Sequence, residues 1–204
     1  MDGKQILTRA VLLVIGYVFG LFESGYFYGK LHGIDIRTKG SGNIGATNTL
    51  RVFGPKAGAI ILLCDFLKCF LPCMIAGRFF QASPFHYISI LYMGLGVTLG
   101  HNFPFYLGFR GGKGIACAAG MVFALDWKLG LIVVGIWAVI TAITRLVSLA
   151  SIVAAFVFVV LNLMFADLGL EYQILCVIIG MLAIVRHSAN IERLLRGTES
   201  KIRL

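Results

Sequence analysis

Polar, glycine-rich sequence is the exception in this chain, and it gathers in four places. The first is Gly-Ser-Gly-Asn-Ile-Gly-Ala-Thr-Asn, residues 40–48, with Arg51 three positions on. Glycines permit positive φ and close backbone approach, so successive N–H groups can form a concavity for an anion. Ser41, Asn43, Thr47 and Asn48 add side-chain donors, and a helix beginning near Thr47 would aim its N-terminus at a phosphate. The alternative is a flexible loop, but this one carries hydroxyls and carboxamides with no Asp or Glu. The second place runs from Gly100 to Gly114, where Arg110 and Lys113 flank Gly111-Gly112 and a helix is expected to follow. A tight turn there brings backbone donors and two cations to one point, without the spacing of a nucleotide-triphosphate loop. His101 beside it is either a general base, an anion ligand or a hydrogen-bonded structural histidine.

The third place lies inside apolar sequence. Asp65 and Lys68 share a helix face at i,i+3 and can pair with each other, with a neighbour or with substrate. Glu23 poses the same question with no sequence-local partner. The fourth is split between Thr144–Ser151 and Arg186–Glu199. Arg186, His187 and Asn190 fall together at a membrane edge. The tail after them reads as a basic amphipathic helix continuing the last span, its Arg193, Arg196 and Lys201 facing solvent or head groups.

These residues need elements to hold them, and the composition says which kind. Of the 204 residues 59% are apolar and 13% charged, with a mean hydropathy of +0.91. That excludes a water-soluble globule, a disordered tail and a collagen-like chain, and strands of an outer-membrane barrel would alternate apolar with polar. The expected class is an all-α integral membrane protein, a compact bundle of about seven transmembrane helices forming a single domain over 1–204. The candidate spans are 6–28, 57–80, 85–107, 114–127, 129–144, 148–166 and 170–186. The fourth and fifth are short, with Asp126-Trp127-Lys128 between them, and form a tight hairpin or include a re-entrant segment. If all seven cross, thirteen of the 18 Lys and Arg fall on one side, among them Arg51, Arg110, Lys113, Arg145 and Arg203. The positive-inside rule makes that side cytoplasmic, with the N-terminus outside and the C-terminus inside. The four polar clusters map to the same side. The net charge of +9 then belongs to orientation and anionic head groups, and no nucleic-acid partner is expected. The five cysteines all fall in apolar segments, without a CxxC pair, and read as small packing residues. No metal site is expected.

At these motifs the chain closely resembles the bacterial acyl-phosphate:glycerol-3-phosphate acyltransferases of the PlsY type. Ser41–Asn48 is similar to the family's first motif, Gly100–Ala116 to its second and Arg186–Glu199 to its third. Asp65-Phe66-Leu67-Lys68 and Thr144–Leu149 resemble two further stretches. The resemblance implies a seven-helix bundle in the bacterial inner membrane with a cytoplasm-facing active site and no cofactor. It implies transfer of an acyl group from acyl phosphate to the sn-1 hydroxyl of glycerol 3-phosphate, giving lysophosphatidate and phosphate in phospholipid synthesis. An enzyme supplying acyl phosphate is a possible partner, alongside membrane lipids. One departure stands out. Where the family usually has a Gly-Ser-Ile-Pro-like stretch, this chain has Gly20-Leu21-Phe22-Glu23, so a hydroxyl is lost and an acid gained.

The expected chemistry is direct attack of the hydroxyl on the acyl carbonyl, aided by proximity and by electrostatic stabilisation of the oxyanion and leaving phosphate. No Ser-His-Asp constellation is visible, and His187 to Glu192 matches the H-x-x-x-x-D spacing of other acyltransferases only by coincidence. His101, Lys113 and Asn43 are the catalytic candidates. Ser41, Gly42, Gly45, Thr47 and Asn48 are expected at the donor phosphate with Asn43. Arg51, Lys113 and Ser148 are expected at glycerol 3-phosphate, with Arg145 in second rank. Lys68, Arg110, Gly111, Gly112, His187 and Asn190 complete the substrate-binding set. The hydroxyl proton goes to His101 or to the donor's own phosphate. Two rivals, a phosphate-ester transporter and an acyl-thioester-dependent acyltransferase, lack respectively a second polar face and a docking surface for an adenosine head.

Overall fold

The computed structural model describes residues 2–202, so the expected cytoplasmic cation Arg203 lies outside the described residues. These residues are helical, with no strand among them, and form two compact units, Met1–Leu125 and Asp126–Leu204. The first unit holds α1 (Gly3–Gly20), α2 (Ser24–Leu31), α3 (Ala46–Phe53), α4 (Pro55–Phe79), α5 (His86–Asn102) and α6 (Ile115–Leu125). The second holds α7 (Trp127–Thr144), α8 (Val147–Phe165), α9 (Leu170–Val185) and α10 (Ser188–Leu195).

Four stretches are long and apolar enough to cross a membrane: Gly3–Leu31, α4, α7 and α8, with α9 and α10 a fifth if that bent pair is one span. The expected span 114–127 is the 11-residue α6, which at ~1.5 Å per residue covers about half of a hydrocarbon core. The expected span 85–107 ends as a helix at Asn102, because Pro104 cannot continue it. The first span is broken at Leu21-Phe22-Glu23. In a membrane, carbonyls released by such a break need donors. Leu21 O accepts from the Tyr106 hydroxyl at 2.7 Å and Phe22 O from Lys68 Nζ at 2.7 Å. The tail also differs from expectation: α9 does not run on into α10 but meets it at 57°. Between α6 and α7 only Asp126 remains, capping α7 by accepting from the Lys128 and Leu129 amides.

Small residues set the inner geometry of the first unit. A Cβ at Gly20 would lie 2.2 Å from Val97 O, and one at Gly100 would lie 2.2 Å from Tyr17 O. The backbones of α1 and α5 therefore touch, the close approach that glycine permits between membrane helices. Its consequence is positional, because Gly20 is three residues from Glu23 and Gly100 is next to His101. The other faces carry exposed Leu62, Leu71, Ile75 and Phe79 on α4 and Val14, Val18 and Phe19 on α1, as a lipid-facing surface requires. Gly100→Ala is expected to force the two helices apart at a cost of about 2 kcal/mol. It should lower the Tm in detergent and the activity together; an unchanged Tm would show that the interface yields.

Candidate active site

The first motif folds around Asn48, which is buried at 2% exposure. Its Nδ2 lies 3.3, 3.1 and 2.8 Å from the carbonyl oxygens of Ile36, Lys39 and Asn43, and its Oδ1 accepts from the Ser41 amide at 2.8 Å. Gly40 has φ +57 and would place a Cβ 2.2 Å from Asn48 Oδ1, so glycine is required there twice over. The Gly42 amide donates to Lys39 O and the Gly45 amide to Asn43 Oδ1. This corrects two expectations. The amides of residues 41, 42 and 45 hold the loop's own shape instead of lining a concavity, and Asn48 is the loop's organiser, not a donor turned outward. Helix α3 starts at Ala46, one residue before the expected Thr47, and Thr49, which the sequence did not single out, is buried with its hydroxyl on Gly45 O. Exposed Ser41 and Arg51 and half-buried Asn43 and Thr47 remain as the side chains this motif can offer. Asp35 clamps the approach to the loop. It accepts from the Arg37 guanidinium at 3.0 and 2.7 Å, which holds its carboxyl down at about 2.

The second motif is strapped to the break in the first span. Tyr17 donates to Phe103 O and Tyr106 to Leu21 O. The Gly111 and Gly112 amides donate to Asn102 O and His101 O at 3.1 and 2.9 Å. These amides, expected as anion donors, fold the loop back on the end of α5. A Cβ at Gly112 would stand 2.0 Å from His101 Nε2, so the loop backbone lies directly against that ring edge. Arg110 is exposed and Lys113 half-buried, immediately before α6.

Behind this loop is a buried polar cluster. Glu23, Asp65, Lys68 and His101 have almost no exposed side-chain surface. Lys68 Nζ lies 2.7 Å from Phe22 O, 3.0 Å from Asp65 Oδ1 and 2.9 Å from His101 Nδ1. An ammonium has three hydrogens, and these three acceptors account for them. Lys68, expected on substrate, is instead turned inward. The expected Asp65–Lys68 pair forms, and Ser24 Oγ donates to Asp65 Oδ1 at 2.6 Å. Glu23 finds partners that local sequence did not suggest: His101 Nδ1 at 2.9 Å and Lys68 Nζ at 3.9 Å.

In the second unit Glu199 is the organiser. It accepts from Ser148 Oγ at 2.9 Å, from Asn190 Nδ2 at 2.7 Å and from Arg193 Nε at 2.7 Å. It thus joins two expected substrate contacts, Ser148 and Asn190. In the sequence Glu199 stands only as the end of the third motif, and nothing local ties it to Ser148, 51 positions away. Arg145 ends α7 in the left-handed region with φ +60, its side chain exposed and its carbonyl accepting from the Ile202 amide. His187 Nδ1 lies 2.8 Å from Ala183 O, so that nitrogen carries its hydrogen. Glu192 is exposed and pairs with Arg196, leaving the His187–Glu192 spacing without a catalytic geometry. Partial burial raises the Glu199 pKa, but hydrogen bonds from Asn190, Arg193 and Ser148 outweigh it and hold the carboxyl below its usual range. A depressed folded pKa contributes stability above the unfolded value and loses it as pH falls through the folded one. Glu199→Gln should therefore lower the Tm at pH 7 and lower it progressively less toward pH 3. A deficit independent of pH would contradict this.

Three comparisons bear on the chain. Residues 10–197 match the family model described as glycerol-3-phosphate acyltransferase. A glycerol-3-phosphate acyltransferase of Thermotoga petrophila is 41% identical over 192 residues, covering 94% of this chain and 95% of that protein. One from Aquifex aeolicus is 41% identical over 197 residues, covering 95% and 99%. The crystal structure of PlsY (YgiH), an integral membrane glycerol 3-phosphate acyltransferase, in its glycerol 3-phosphate form superposes with a TM-score of 0.87 at 38% identity, covering 96% of both chains. Its lysophosphatidic acid form superposes with a TM-score of 0.85 at 37% identity, covering 96% of this chain and 95% of that one.

Proposed function

The chain belongs to the glycerol-3-phosphate acyltransferase family, and from that premise we propose that it moves an acyl group from acyl phosphate to the sn-1 hydroxyl of glycerol 3-phosphate. Membership makes it a multi-pass helical membrane protein that acylates glycerol 3-phosphate in phospholipid biosynthesis. Acceptor and product are supported by the likeness along nearly the whole chain to a protein solved in glycerol 3-phosphate and lysophosphatidic acid forms, and acyl phosphate as donor by the resemblance of the motifs. In the step itself, the hydroxyl oxygen bonds to the acyl carbon and the carbon–oxygen bond to phosphate breaks. Phosphate leaves, and the hydroxyl proton passes to His101 or to a phosphate oxygen. An anhydride donor needs no covalent enzyme intermediate, so positioning and charge carry the catalysis.

The donor phosphate is assigned to Ser41, Asn43 and Thr47, with Gly42 and Gly45 shaping the loop. For glycerol 3-phosphate the first unit offers Arg51 and Lys113, with Arg110 beside them in the sequence, and the second unit offers Ser148, with Arg145, His187 and Asn190 as further candidates. The chain is read as a single domain over 1–204 in the inner membrane, N-terminus outside and site facing the cytoplasm, its about seven apolar segments including the short α6. Its donor would come from an enzyme that makes acyl phosphate. Lysophosphatidate formed by purified protein from glycerol 3-phosphate and acyl phosphate is the test, and acylation at the secondary hydroxyl would contradict the sn-1 assignment.

A further inference from the structure

The acid that sets this chain apart, Glu23, sits against the one histidine of the second motif. Resting on the reaction assigned above, we infer that Lys68 and Glu23 are positioning residues that keep a hydrogen on His101 Nε2. His101 then offers a hydrogen bond to an anionic substrate oxygen beside Gly112 and Lys113 instead of removing a proton.

Proton placement decides between the two roles. His101 Nδ1 lies 2.9 Å from Lys68 Nζ and 2.9 Å from Glu23 Oε2. An ammonium can only donate, so toward Lys68 the nitrogen is an acceptor. Neither oxygen of Glu23 has a hydrogen-bond partner, although Oε2 stands 2.9 Å from Nδ1, and the residue is 1% exposed. Ionised Glu23 and Asp65 against one Lys68 leave a buried cluster with a charge of −1. One further proton balances it, and buried charge persists where it is compensated. The 2.9 Å contact between Glu23 Oε2 and Nδ1 is where that proton fits. If it rests on Glu23, both neighbours donate to Nδ1 and the neutral ring carries its hydrogen on Nε2. If it moves to His101, the imidazolium carries one on each nitrogen and Lys68 must turn its third hydrogen from Nδ1 to Glu23 Oε2, 3.9 Å away. Nε2 holds a hydrogen either way, and the Gly112 backbone lies against that edge of the ring.

The test uses full-length protein with 15N-labelled histidine in detergent micelles. The chain has four histidines, so the His101→Gln spectrum assigns the resonance. Wild type should show a protonated Nε2 at neutral pH. In Lys68→Met the ring should lose the tautomer preference, whereas in Glu23→Gln, Nε2–H should persist and the doubly protonated form disappear. A bare Nε2 in the wild type overturns the inference, as does a tautomer that Lys68→Met leaves untouched. Kinetics supply the second arm. A glutamine amide can donate where Nε2–H did but cannot take a proton, so His101→Gln should retain at least about tenfold more kcat than His101→Ala. Equal losses in the two variants would mean that His101 is the base. The spectra need no turnover. A protein without acyltransferase activity but with Nε2–H would therefore defeat the assigned reaction and leave the proton placement standing.

Discussion

Lys113→Ala is expected to reduce kcat/KM roughly a hundredfold to a thousandfold, the usual cost of removing a charge aimed at a developing anion. The size follows from how the lysine is held. Two residues before it, the chain is tied back to α5, since the Gly111 and Gly112 amides donate to Asn102 and His101 carbonyls. One residue after it, Gly114 takes φ +78 and α6 begins at Ile115. The stem of Lys113 thus starts from a fixed backbone position next to the His101 ring, so its ammonium needs little further ordering to meet a phosphate. Lys113→Arg keeps the charge with a different geometry and should fall between the two. Initial rates against each substrate check this. Wild-type-like kinetics in Lys113→Ala, with the protein still folded, would remove the lysine from the site.

Asn48→Ala should have the largest effect on stability. The substitution deletes one carboxamide that serves three carbonyls and one amide across residues 36–43. At about 1 kcal/mol for each net hydrogen bond, and more where a buried group is left unpaired, the loss is about 3 kcal/mol. The loop also seats α3, whose first turn carries Thr47 and whose last carries Arg51. Activity should therefore fall along with Tm. Asn48→Asp tests the mechanism, because it retains an acceptor for the Ser41 amide while turning a lone pair toward three carbonyls. It should be no more stable than Asn48→Ala. A variant with native Tm would show that the loop is held by something other than Asn48.

Long apolar runs were legible because hydropathy is a local signal. Expected spans 57–80 and 148–166 fall within two residues of α4 and α8. The glycine motifs were legible as turns for the same reason. What escaped was decided by residues far apart in sequence. The break at Leu21–Glu23 has no helix-breaking residue of its own. It exists because Tyr106 and Lys68 supply donors for the carbonyls it releases and because Glu23 reaches His101. Likewise, nothing near Ser148 or Asn190 announces Glu199, which gathers them. The misjudged polar groups share a cause. Asn48, Lys68 and the Gly111-Gly112 amides have the chemistry of ligands, but each is engaged by a buried carbonyl or carboxylate that only the fold brings within reach. Residue type marked where polar groups gather, and burial decided which of them face inward.

The acyl donor defines the reaction. Purified wild-type protein in detergent or nanodiscs should be given glycerol 3-phosphate with either acyl phosphate or acyl-CoA, and lysophosphatidate followed against time. The short polar loops are expected to suit a small phosphate and to give an adenosine head little docking surface. Lysophosphatidate and inorganic phosphate are expected from acyl phosphate, and no lysophosphatidate from acyl-CoA. Product from acyl-CoA alone, or none from either donor, would contradict the assigned reaction.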